Sequence, residues 1–96
     1  MLGTLTQEHW IRYLAQDFRI DHGGVALTMR LASVTGFKHS SDRARECYSL
    51  VFYGPSNPAL PQRIYRLAHD EVGEVEIFLV PIGPQKDGFG YEAIFN

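Results

Sequence analysis

Apolar residues in this chain fall largely at alternate positions, the repeat of a strand that buries one face. The run after Gly73 shows it best: Val75, Ile77 and Leu79 share one side, and Glu74 and Glu76 the other. Phe78 and Val80 then put apolar groups on the glutamate side. One end of this strand is therefore half-exposed, while the other wants cover on both faces. A strict alternation also runs through Val25, Leu27, Met29 and Leu31, with Thr28 and Arg30 facing the opposite way. Tyr48, Leu50 and Phe52 share a face, and Val51 and Tyr53 make the reverse face apolar too, the pattern of a central strand. Phe18 with Ile20, and Tyr65 with Leu67, mark two shorter strands facing inward, and Tyr91 to Phe95 a last one. The predicted strands are residues 17–21, 25–34, 46–53, 62–68, 73–81 and 90–95.

Only residues 6–15 read as helix. Thr6 suits the N-cap, and Glu8 lies in the first turn, where the helix dipole favours an anion. Leu5 and Trp10 have the spacing of a hydrophobic staple. Trp10, Ile11 and Leu14 form the apolar stripe, and so short a helix must pack on the sheet to persist. It is expected as a lid over one open end of the β structure.

The connections are too short or too proline-rich for crossover helices. Gly23 and Gly24 suit a tight turn. Residues 36–45 are polar, lack periodicity and are expected to be the longest and most mobile loop. Residues 54–61 hold Pro55, Pro58 and Pro61, and read as a rigid crossing anchored by Leu60. Residues 81–88 read as a further crossing. The fold class is therefore all-β: a six-stranded antiparallel meander forming a small barrel or a two-layer sandwich, in a single domain over residues 1–96, with one short helix packed on it. The last strand reaches the final residue, so the C-terminus is expected to be structural.

Composition narrows the function classes. A net charge of −2 and a pI near 6.0 give no basic surface, which disfavours nucleic acid and anionic membrane as partners. The basic stretch Lys38–Arg45 is interrupted by Asp42 and too short to change that. No apolar run approaches a membrane span and no leader pattern is present, so a cytoplasmic location, or incorporation into a larger particle, is expected. Cys47 is the only cysteine, which excludes an intrachain disulfide.

Several residue types have catalytic vocabulary. His9, His22, His39 and His69 lack the spacing that sets two imidazoles on one face for a metal, and rim histidines are expected. Glu74 and Glu76, with Glu92 opposite, could form a carboxylate pair, but alternating glutamates on a strand are ordinarily its solvated face. Cys47 lies in a strand that wants burial and is expected to be an inert thiol. His39, Ser40, Ser41 and Asp42 are neighbours in a loop, which rarely yields triad geometry. No catalytic residue, metal site or cofactor is signalled, and an enzyme ranks last among the readings.

The runs Tyr48–Pro55, Leu60–His69, Gly73–Pro84 and Tyr91–Asn96 together resemble a family of uncharacterised small bacterial β domains of about 95 residues. The resemblance extends to the helix start and Phe18. Such domains are often encoded near phage-tail-collar-like proteins, which implies a part of, or a helper to, a tail-like assembly, with those proteins as partners. It implies no catalytic motif.

The remaining signal is a surplus of apolar side chains. Phe78, Val80, Val51, Tyr53, Ile82, Phe89 and Ile94 exceed what one barrel face needs. Either the helix covers them through Trp10, or they form an interface, as a homo-oligomer or with another protein. The interface set is Phe78, Val80, Val51, Tyr53, Leu60, Ile82 and Phe89, and the function read from it is a non-enzymatic protein-binding or structural domain. The rival is a small-molecule-binding barrel, with Tyr48, Phe52, Tyr65 and Leu79 lining a cavity.

Overall fold

The computed structural model describes residues 6–37, 47–56 and 59–95, with Phe37 as backbone only. The loop expected at 36–45 falls almost wholly outside them, as do His39, Ser40, Ser41, Asp42 and Leu5. The elements are α1 (Gln7–Ile11), β1 (Asp17–His22), β2 (Val25–Phe37), β3 (Cys47–Gly54), β4 (Arg63–His69), β5 (Gly73–Gln85) and β6 (Gly88–Phe95).

The strands close into an antiparallel barrel in the order β1-β2-β3-β6-β5-β4. Of the two expected forms, barrel and sandwich, the barrel is present, but its strand order is not that of a meander. A meander would lay β4 against β3; instead β6 pairs with β3, and β4 pairs with β5 and β1. The cause is the connection between Gly54 and Arg63, which carries the chain past two strands. Two tyrosine hydroxyls fix it. The Tyr91 hydroxyl donates to the Pro55 carbonyl and accepts from the Leu60 amide at 2.9 Å. The Tyr65 hydroxyl donates to the Pro61 carbonyl at 2.5 Å. A proline-rich segment has few amides for a sheet, so side chains must satisfy its carbonyls.

Most alternating positions point where their pattern puts them; Val25, expected inward, is instead 56% exposed, because it lies next to the turn of the first hairpin. Phe18, Ile20, Met29, Leu31, Leu50, Phe52, Leu67 and Leu79 are fully buried. The first hairpin closes on Gly23 and Gly24, whose φ values of 62° and 82° match a two-residue turn with both central residues left-handed.

Two strands run longer than the pattern suggests. β2 continues to Phe37 through a bulge between Leu31 and Ser33. β5 continues through Pro81 and Pro84 to Gln85, where the sequence suggested a crossing. Its pairing with β4 ends at Leu79, so beyond that point β5 has a free edge. Prolines are tolerated on such an edge and at bulges, and a bulge lies between Pro81 and Gly83, with Gly83 at φ 89°.

The helix is shorter than expected. The Thr6 hydroxyl accepts from the His9 amide at 3.3 Å, and His9 Nδ1 accepts from the Thr6 amide at 3.2 Å. His9 thus fills the place usually held by Glu or Gln in a capping box. Regular helix ends at Ile11, and Ala15 turns left-handed at φ 69° to start β1. The expected stripe shrinks to one buried residue: Trp10 is buried, whereas Ile11 and Leu14 are exposed. Trp10 packs against Phe18, Phe52 and Phe95 at ring-centre distances of 5.8, 6.4 and 6.4 Å, so it plugs the barrel interior.

Candidate functional site: an exposed apolar row across three strands

Outward-facing positions on β4, β5 and β6 come level with one another. Ile64 on β4 pairs with Phe78 on β5. Val80 on β5 pairs with Glu92 on β6, and extending that register by two residues sets Phe78 level with Ile94. Ile64 and Phe78 are thus direct cross-strand neighbours, and Ile94 continues their row one step past the end of the β5–β6 ladder; the three are exposed by 63%, 49% and 58%. Arg66 and Glu76, paired at 3.5 Å, border the row on one side. On the other side Val80, Glu92 and Val51 lie level and half-buried.

The helix does not cover this row. Its one buried side chain, Trp10, is turned inside the barrel onto Phe18, Phe52 and Phe95. The expectation that Trp10 shields the surplus apolar groups is therefore corrected.

The seven residues of the sequence-derived interface set separate. Phe78 and Ile82 are exposed. Val51, Tyr53, Val80 and Phe89 are half-buried, Phe89 resting 5.4 Å from the Tyr91 ring. Leu60 is 4% exposed and belongs to the core, so it has no surface to offer a partner. It anchors the crossing inward because its amide is held by Tyr91. Ile64 is missing from that set although its signal was available: with Tyr65 and Leu67 inward, Ile64 must point outward. Ile94, counted in the surplus, joins it.

The four residues of the cavity reading lie in the core. Phe52 meets Phe18 edge-on at 5.7 Å, and Tyr48 stacks on Phe95 at 4.8 Å with planes 12° apart. Tyr65 is engaged with Pro61, and Leu79 is fully buried. Burial raises the Tyr65 phenol above its ordinary pKa, nearby Arg63 opposes this, and Tyr91 adds to it.

Several of the polar candidates have structural partners. His69 Nδ1 accepts from the Glu71 and Val72 amides at 3.0 and 3.4 Å, so its proton sits on Nε2 and is donated to Gln16 Oε1 at 2.7 Å. Its ring lies 4.8 Å from Phe18 and 4.9 Å from Tyr13. His22 packs edge-on to Tyr65. Glu76 bonds to Arg66. Cys47 is half-buried at the start of β3, less enclosed than the strand pattern suggested. Among the described residues no three His, Cys, Asp or Glu side chains gather where they could hold a metal ion, and no helix is long and apolar enough to cross a membrane.

Residues 5–95 match the model of a family described as "Domain of unknown function (DUF6916)", and the chain belongs to that family. No curated protein and no solved structure matches it.

Proposed function

We propose that this domain is a non-enzymatic protein–protein interaction or structural module, and that the row Ile64–Phe78–Ile94 is its contact surface. The observation that carries the reading is the exposure of three large apolar side chains on three adjacent strands, Ile64 and Phe78 directly paired and Ile94 level with them in the extended register, with a salt-bridged pair at their border. Such rows with polar rims mark contact sites on small folded proteins. The core burial of Tyr48, Phe52, Tyr65 and Leu79 favours this over a ligand-lined interior. The setting we propose is a phage-tail-like assembly, as component or accessory, in which a like copy or a tail-collar-like protein covers the row. The resemblance in the C-terminal half of the chain supports that setting.

The test is Phe78→Glu. A charge at the centre of the row should lower association with other chains while the barrel still folds, because Phe78 is half exposed and outside the core. Loss of folding would place Phe78 among the residues the barrel needs and would end this reading.

A further inference from the structure

The barrel is closed unevenly. β1 pairs with β2 at all six of its positions, and β4 pairs with β5 at all seven. Between β1 and β4 only Arg19–Ala68 and Ile20–Leu67 pair. Continuing that register would set Asp21 level with Arg66 and His22 level with Tyr65, yet these positions make no ladder. Side chains brace the seam instead. Phe18 lies 4.8 Å from the His69 ring, His22 lies 5.8 Å from the Tyr65 ring, and Arg19 bonds to Asp70 at 3.2 Å. The backbone edges of Asp21–His22 and Tyr65–Arg66 thus face one another without pairing as strands.

A cleft of about 630 Å3 lies over this stretch, between the β1–β2 hairpin and the β4–β5 pair. Arg19, Asp21, Ile64, Arg66, Glu74 and Glu76 are among its walls. The charges do not cancel. Arg19 is bonded to Asp70 and Arg66 to Glu76, whereas Asp21 and Glu74 make no ion pair among the described residues. The uncompensated charge in the cleft is negative.

We infer that this seam is a docking slot for an extended peptide strand carrying basic side chains at alternate positions. A strand edge presents amides and carbonyls in a fixed alternation, which another extended backbone matches. Side chains on one face of that strand recur every second residue. They would meet Asp21 and Glu74, while Ile64 gives an apolar side chain somewhere to rest. The inference rests on the protein-binding reading of the domain; the slot shares Ile64 with the apolar row, but Phe78 and Ile94 lie outside its walls.

The test is a 1H–15N titration of the full chain with an alternating valine–lysine peptide of about eight residues, long enough to span a short strand. Valine–glutamate and backbone N-methylated valine–lysine peptides serve as comparisons. The shifts should concentrate at Asp21, His22, Tyr65 and Arg66. The glutamate peptide should bind at least about tenfold more weakly, and N-methylation should abolish binding. Combined Asp21→Lys and Glu74→Lys, both at exposed sites, should reverse the charge preference. Absence of shifts at about 1 mM peptide, equal binding of the two charges, or unchanged binding of the N-methylated peptide would each overturn the inference. Phe78→Glu should still bind the peptide. Its loss of association with peptide binding intact would therefore bear on the row alone, and the converse result on the seam alone.

Discussion

The Tyr91 hydroxyl reaches both ends of the crossing between β3 and β4, donating to Pro55 and accepting from Leu60. Tyr91→Phe keeps the ring and removes both bonds, leaving the buried Leu60 amide without its acceptor. The expected loss is about 1–3 kcal/mol in a urea melt, the usual penalty for an orphaned buried donor. Tyr65 adds a pH dependence. Its folded-state pKa is raised, chiefly by burial, so folding is linked to keeping the phenol protonated. That stability is fully present below the unfolded phenol value, about 10, and is lost as pH rises through the higher folded value. Tyr65→Phe should therefore flatten the fall in melting temperature on the alkaline side. Neither hydroxyl's role was legible in the sequence. Alternation shows that Tyr65 points inward, but not which carbonyl waits there. Leu60 was read as an anchor, yet a proline run has no period to tell inside from outside.

At the level of elements, periodicity did well where one face is buried and the other wet. The inward faces of β1, β4 and β5, and of β2 from Leu27 onward, follow the alternation. It failed where long-range pairing decides. A repeat of two gives each strand its faces but not its neighbours, so β6 inserting between β3 and β5 was invisible. Pro81 and Pro84 suggested an end to β5, because whether a proline falls on a free edge depends on where β4 stops. The short helix was legible through its Thr6 cap, but its inward stripe was not, since only Trp10 enters the barrel. The placement of β6 has a direct consequence. It holds Tyr91 and Ala93 in the core and pairs on both sides, with β3 and β5. Removing residues 92–96 should abolish cooperative thermal unfolding, and a truncated chain that still melts cooperatively would show that the barrel closes without them.

For the whole molecule, the core is filled from inside and the helix is spent on the barrel end, so the Ile64–Phe78–Ile94 row is left outside. The sequence announced half of this through Phe78 and Val80. The rest required the β4–β5–β6 register that aligns three separate strands. The most direct measurement is absolute mass by light scattering after size exclusion, over a concentration series, for the wild type beside Phe78→Glu. The wild type should rise above the 10.9 kDa of one chain as concentration increases, while the variant stays at that mass and melts cooperatively. A wild type fixed at the mass of one chain throughout would exclude a like copy as the partner, and a variant that associates equally well or loses its cooperative melt would contradict the account.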